Sequence, residues 1–241
     1  MTISFSGLTF QSQLLYPGTE RFFAGFLTDS PSYTACLRVT QEDLRQAACY
    51  CPADASPEFL ETVALRRRLA DLLLSHDRCL FHSAAMVFRE QAYLFAAPSG
   101  TGKTTQLNLW RELYPEETTI LNGDKPVLQF LDTGTIVVHA SPWRGKESLG
   151  GTGSAPLGGI IYLRQSQADR WAPMPPGAAI LPMLGQFFCT DRTEEHYRLL
   201  LPLLKRLVCA TPIWLLENRG GPESARLCHD RLLERRECVL C

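Results

Sequence analysis

From Met1 to Phe10 apolar and polar positions partly alternate. Ile3 and Phe5, then Leu8 and Phe10, mark the covered face of a strand. Arg21 to Phe26 and Thr34 to Val39 read as further strands, and Gln41 to Ala48 as a helical turn, with Pro17-Gly18 and Ser30-Pro31 as breaks. From Ser56 to Ser75 the period becomes helical. Phe59 and Val63 are four apart, and Leu65, Leu69, Leu72 and Leu73 fall at i, i+4, i+7 and i+8. Ser56-Pro57-Glu58 supplies a hydroxyl cap, a proline at the first position and an acid in the first turn. Arg66-Arg67-Arg68 on this helix reads as a solvated face or as an anion site.

Cys79 to Phe88 is a β run, which Arg89-Glu90-Gln91 turns back into the apolar strand Ala92 to Ala96. Thr105 to Leu113 has helical spacing, and Thr118 to Leu121 is a strand. Val127 to Leu131 and Thr135 to Ala140 form a hairpin around Asp132-Thr133-Gly134, and Leu157 to Leu163 is a buried-type strand. After a break at Pro173 to Gly177, Ala178 to Phe188 and Glu194 to Val208 read as helices, each containing a proline, Pro182 or Pro202. Thr211 to Leu216 is a strand and Glu223 to Cys238 the final helix. These elements predict an α/β fold: a mixed twisted sheet, helices around it, and a small β-rich N-terminal layer. The expected division is residues 1–55 for that layer and 56–241 for the main domain. The layer either packs on the main domain or offers an edge to a substrate or leader peptide.

Composition narrows the classes. An apolar fraction of 45% and a charged fraction of 20% are those of a soluble globular chain. The formal net charge of −1 gives no overall attraction to nucleic acid or to an anionic membrane. Met1 is not followed by a basic region and an apolar core, so no signal peptide is expected, and no apolar run is long enough to cross a membrane. The nine scattered cysteines suit a reducing cytoplasm. Cys49-Tyr50-Cys51 and Cys238-Val239-Leu240-Cys241 are a conceivable four-thiolate set for zinc, although the first spacing is short for one.

The chemistry gathers at Ala97-Pro98-Ser99-Gly100-Thr101-Gly102-Lys103-Thr104-Thr105, between the strand and the helix. Strand, glycine turn, Lys-Thr, helix is the layout of a phosphate-binding P-loop, with alanine at the first glycine position. Gly100 and Gly102 let main-chain N–H groups turn toward phosphate oxygens, and the helix start adds unpaired N–H groups. Ser99, Gly100, Thr101, Gly102, Lys103, Thr104 and Thr105 are therefore the candidate nucleotide contacts. Lys103 would reach the β- and γ-phosphates, and the Thr104 hydroxyl would ligate Mg²⁺. Asp124, at the strand tip Asn122-Gly123-Asp124-Lys125, stands where a carboxylate holds Mg²⁺, although Asn-Gly also suits a plain turn. His82 is either structural or, if it lies at the right end of its strand, close to the phosphates. Ser141 to Gly153 carries Arg144, Lys146 and Glu147 among glycines, and reads as an element closing over phosphate or as an ordinary surface loop.

His82-Ser83-Ala84-Ala85, the Ser99–Thr105 turn and Asn122-Gly123-Asp124 stand in that order, with Lys103 following His82 by 21 residues. This resembles the superfamily of the HPr kinase/phosphorylases and the ATP-dependent phosphoenolpyruvate carboxykinases. It looks most like the short HPr kinase-like proteins of bacterial peptide-modification gene clusters, which carry a segment similar to Ser141-Pro142-Trp143-Arg144-Gly145-Lys146-Glu147. The resemblance covers residues 79 to 165 well and the rest only in layout. It implies ATP and Mg²⁺ as cofactors, phosphoryl transfer to a hydroxyl of a peptide, an amino acid or another small alcohol, and a possible homo-oligomer. It implies an active-site role for His82, and for Asp124 the part of one of the family's two aspartates. The second aspartate is missing, which leaves Glu147 as a substitute or leaves the chain a non-catalytic nucleotide binder. Carboxykinase chemistry on a small keto acid is a third reading, opposed by the short chain.

Overall fold

Ser6 and Gly7 take left-handed backbone, φ 51° and 73°. That turn splits the first β run into the hairpin β1 (Thr2–Phe5) and β2 (Leu8–Gln13), and β3 (Ala35–Arg38) adds parallel to β2. Pro17–Phe26, read above as partly strand, is a 3-10 segment. Thr19, Phe23 and Phe26 recur at helical spacing and are its buried residues. This structure, a computed structural model, describes residues 1–190 and 193–237, with side chains up to residue 234.

Helix α1 (Gln41–Ala48) begins with a capping box between Thr40 and Asp43. Helix α2 (Pro57–Leu74) is capped by Ser56, whose hydroxyl accepts from the Phe59 N–H. Glu61 on α2 is fully buried, and its carboxyl accepts from Leu15 N, Tyr16 N and the Thr19 hydroxyl. Those three bonds fasten the 3-10 segment to α2.

The main sheet is curled and mixed. Strand β4 (Arg78–Leu80) is followed by β5 (Ser83–Phe88), β6 (Gln91–Ala96), helix α3 (Lys103–Leu113) and β7 (Thr118–Asn122). Next come β8 (Val127–Phe130), β9 (Ile136–His139), β10 (Ser154–Gln165) and β11 (Arg170–Pro173). The chain ends with α4 (Pro176–Leu184), α5 (Glu194–Ala210), β12 (Ile213–Asn218) and α6 (Pro222–Glu237). Strands β6, β10 and β12 run parallel, and β5 lies antiparallel between β6 and β7. Hence β6, β7, β10 and β12 all end on one side. β11, absent from the sequence reading, pairs antiparallel with β12.

The expected single strand from Cys79 to Phe88 is a bent pair. β4 pairs with β8 and β5 with β7, yet the register holds through the corner: Leu80 opposite Val127, Ser83 N donating to Asp124 O, Ala85 opposite Asn122. His82 sits in that corner. Its main chain leaves the ladder, and His82 N donates to Gln186 O at 2.7 Å.

Alternate residues of β6 enter two cores. Leu94 and Ala96 join α2 and α5, whereas Tyr93, Phe95 and Ala97 join Trp110 of α3 and Ala225 and Cys228 of α6. The core toward α2 is continuous with the N-terminal layer through Phe5, Phe10 and Phe23. Among the described residues no helix is long and apolar enough to cross a membrane. Cys49 and Cys51 carry free thiols. Cys238 and Cys241 lie outside the described residues.

Candidate active site at the carboxyl ends of the strands

Ser83 pairs with Ala96, so the start of β5 lies beside the end of β6. This puts His82 at the same end of the sheet as the glycine turn. Gly100 and Gly102 take φ 79° and 107°, backbone that favours glycine. Ala97 has no such requirement, which accounts for alanine at that position. Among the main-chain N–H groups of residues 99–102, Thr101 alone has a described protein acceptor, Pro98 O at 3.4 Å. Gly102 then caps α3, whose first N–H groups point out of the helix end.

A cleft of about 730 Å³ opens at this turn. His82, Ser99, Gly100, Gly102, Lys103, Thr104, Thr105, Asp124, Arg144, Lys146 and Glu147 all border it, as do Tyr50 and Lys125. Thr101 is the exception among the predicted contacts. It faces a second cleft of about 680 Å³ on the other side of the turn, between Gln165–Gln167 and Asn218–Gly220.

Asp124 follows β7, but Asn122-Gly123 does not close a hairpin. The Asn122 side chain accepts from the N–H groups of Asp124 and Lys125 and donates to Ser141 O. These bonds hold the strand tip open toward the cleft. One Asp124 oxygen takes the Lys125 ammonium at 2.5 Å, and the other lies 3.5 Å from His82 Nε2. Burial pushes the His82 imidazole down to about 4, and the neighbouring Lys103 and Lys125 add to the effect, so the ring is neutral at pH 7. Burial also holds Lys103 and Lys125 below the usual lysine range, against the attraction of Asp124. Lys103 Nζ donates to Ala97 O at 2.8 Å and Pro98 O at 3.2 Å, folding back over its own turn.

Ser141 to Gly153 is a strap bonded along much of its length. Gly123 N donates to Leu149 O, Lys125 N to Trp143 O and Gly151 N to Leu121 O. Trp143 is buried against Phe5, Phe22 and Phe23 of the N-terminal layer, and its indole N–H donates to Thr62 O. Arg144 lies over the Phe26 ring and donates to Gly150 O at 3.4 Å. Glu147, the candidate second acid, accepts from Asn108 of α3.

Two further side chains support the site: Arg66, expected only as part of a basic run, and Gln186, which has no sequence signal. Arg66, one of the three arginines on α2, is largely buried rather than set on a solvated face. It stacks on Phe188, its Nε meets no partner, and burial holds its guanidinium below the ordinary arginine range while Asp124 opposes that shift. Its neighbour Arg68 pairs with Asp43 at the surface. Gln186 brackets His82. Its carbonyl accepts the His82 N–H, and its amide, with the nitrogen facing inward, donates to His82 O at 2.8 Å and Ala97 O at 3.1 Å.

The lining is cationic: Lys103, Lys125, Arg144 and Lys146 against Asp124 and Glu147. Among the described residues no three His, Cys, Asp or Glu side chains gather as a ready-made metal cage. The set suits an anion with several oxygens.

No protein-family model matches the chain, and neither does any curated protein. Among solved structures it is similar to the HPr(Ser) kinase/phosphatase from Coxiella burnetii. The TM-score is 0.39 at 10% identity, over 67% of this chain and 97% of that one. A likeness so distant carries no conclusion about reaction or substrate.

Proposed function

We propose that the chain is an ATP-dependent phosphotransferase that moves the γ-phosphoryl group to a hydroxyl acceptor, the activity implied by the resemblance to HPr kinase/phosphorylases. One observation carries the reading: a cleft lined by more cations than carboxylates, some of them desolvated, beside a glycine turn whose N–H groups are largely unengaged. Holding cations in excess of carboxylates in a partly buried cleft is costly, and a polyphosphate would offset that excess. The turn is then a P-loop. Its amides and Lys103 hold the β- and γ-phosphates, and Arg144 and Lys146 border the end where charge develops.

The Thr104 hydroxyl and the Asp124 carboxylate are hard oxygen donors on one cleft. That pair fits Mg²⁺, which takes most of its remaining ligands from phosphate and water. When bound, the ion would neutralise charge on the β- and γ-oxygens. Neutral His82 orients the acceptor hydroxyl. A loose transition state asks mainly for positioning, so a single carboxylate suffices, and the hydroxyl proton passes late to an oxygen of the transferred phosphoryl group.

Lys103→Ala tests the reading. The variant is expected to keep its circular dichroism and to lose ATP-dependent mass gain on hydroxyl-bearing peptides and amino acids by at least about a hundredfold. Unchanged transfer in that variant removes the turn from the mechanism.

A second reading has one specific observation behind it. Gly123 and Lys125 flank Asp124 where a second acid is wanted, and Lys125 already neutralises Asp124. A non-catalytic nucleotide-binding protein would show calorimetric ATP binding with no loss of γ-phosphate to any acceptor in the same panel.

A further inference from the structure

Lys125 has no step in the transfer scheme above, yet among the described residues it is the nearer of the two ion-pair partners of Asp124. Its ammonium sits on Asp124 Oδ2, and its main chain is fixed by bonds to Asn122 and to the strap. A flexible four-carbon stem separates that fixed backbone from the charge, so the head group can move while the strand tip stays. Both lie on the cleft that holds Lys103 and Thr104.

We propose that Lys125 is an internal counter-cation that keeps Asp124 from binding a divalent ion until a polyphosphate arrives. This inference rests on reading the cleft as a polyphosphate site. In the free chain a divalent cation would have to displace the Lys125 ammonium and enter a cleft already positive, with Arg66 behind it. Like charges repel more strongly in a partly buried site than in water. A triphosphate reverses that field. Its oxygens offer Lys125 a new partner, the ammonium leaves Asp124, and the carboxylate becomes free to face the cation that the nucleotide carries. Metal and nucleotide therefore bind with positive coupling, and the binding order is set by one lysine. His82 contacts the other oxygen but is neutral, so it cannot replace Lys125 as counter-charge.

The test uses Mn²⁺ as the metal and adenylyl imidodiphosphate as the polyphosphate. Free Mn²⁺ is followed by its electron paramagnetic resonance signal. The wild-type chain alone is expected to leave Mn²⁺ free. With the analogue present it should take up more Mn²⁺ than the analogue does by itself. Lys125→Met, and independently Lys125→Gln, should bind Mn²⁺ without nucleotide at least tenfold more tightly than wild type. Both should bind the analogue in EDTA several-fold more weakly, with unchanged circular dichroism. The inference is overturned if the wild-type chain alone binds Mn²⁺ as tightly as the variants, or if neither variant gains metal affinity. If the analogue fails to bind the wild-type chain under any condition, the polyphosphate reading falls and takes the inference with it. Analogue binding without any effect of Lys125 sinks the inference alone.

Discussion

Two carboxyl groups, the fully buried Glu61 and the half-buried Asp124, are held in opposite ways. Glu61 sits where the N-terminal layer meets α2. It accepts from two main-chain N–H groups and a hydroxyl, and no described Lys or Arg is within ion-pair distance. Its polar capacity is met by neutral donors that belong to the fold. Asp124 sits at an open strand tip. Its contacts are a lysine and a neutral imidazole, with further cations beyond them. Hydrogen bonds from the backbone make a carboxyl group part of the scaffold. Mobile charged side chains leave it exchangeable, and an exchangeable carboxylate among excess cations is what a site for a charged ligand requires.

The largest stability effect belongs to the scaffold side. Glu61→Ala takes the acceptor from three donors at a partly buried junction, each costing about 1 kcal/mol or more. The variant is expected to lose about 3 kcal/mol or more by urea denaturation, while the remaining folded protein binds adenylyl imidodiphosphate with an affinity within about twofold of wild type. A large loss of affinity in the folded variant would show that the N-terminal layer is coupled to the cleft, and the contrast between the two carboxyl groups would fail.

The scaffold was more legible in the sequence than the site. The buried positions Ile3, Phe5, Leu8 and Phe10, the Ser56 cap, the Arg89-Glu90 turn and the strand–turn–helix order all follow local rules and appear as expected, although the first expected strand is a hairpin. Arg21–Phe26 reads as strand because Phe22 and Phe23 favour β structure, whereas Thr19, Phe23 and Phe26 already carry the helical period that Glu61 and Trp143 reward. Arg66 shows how a signal is overlooked. It follows Thr62 by four and precedes Leu69 by three, on the apolar stripe of α2, but the Arg-Arg-Arg run suggested a solvated face. Lys125 was visible beside Asp124, but whether it pairs with that acid depends on the corner at His82. Gln186 had no local signal. Its position is fixed by chain crossing from α4 back to His82, a contact across about a hundred residues.

The same contrast can be sharpened with two histidines. His82 and His139 are both pushed down to about 4, in each case first by burial. The second cause differs: Lys103 and Lys125 for His82, Arg78 for His139. A histidine whose folded value lies below its unfolded value of about 6.5 takes up its proton more readily when unfolded. Stability is therefore complete above about pH 6.5 and declines as the pH falls toward 4, by no more than about 3 kcal/mol for one such group. His139→Gln should flatten that decline. A bound triphosphate adds negative charge beside His82 and none beside His139, which hydrogen-bonds Gln129 on β8. In ring-proton NMR titrations adenylyl imidodiphosphate should raise the His82 midpoint by about one pH unit and leave His139 unmoved. Equal shifts in both rings, or none in either, would mean that the cleft cations are not answering a bound anion.

The smallest expected effect asks why the second acid is absent. A Cβ at Gly123 would lie 2.6 Å from Arg144 O and 3.1 Å from Leu149 Cβ, inside the strap. The backbone carbonyl cannot swing away as a side chain would, because Trp143, one residue earlier, is locked into the N-terminal aromatic cluster. Gly123 is therefore what lets the strap bond directly to the strand tip, and an aspartate there would force the two apart. Gly123→Ala isolates the steric part, with an expected cost of about 1–2 kcal/mol in urea denaturation. Because the displaced carbonyl belongs to Arg144, affinity for adenylyl imidodiphosphate should fall a few-fold in the folded variant. Gly123→Asp should not restore a working acid pair; it should lower affinity at least as much as Gly123→Ala. If the aspartate instead raises metal-dependent binding, the strap has more freedom than its bonds suggest, and the exchangeable carboxylate at Asp124 is not the limit on what this cleft can hold.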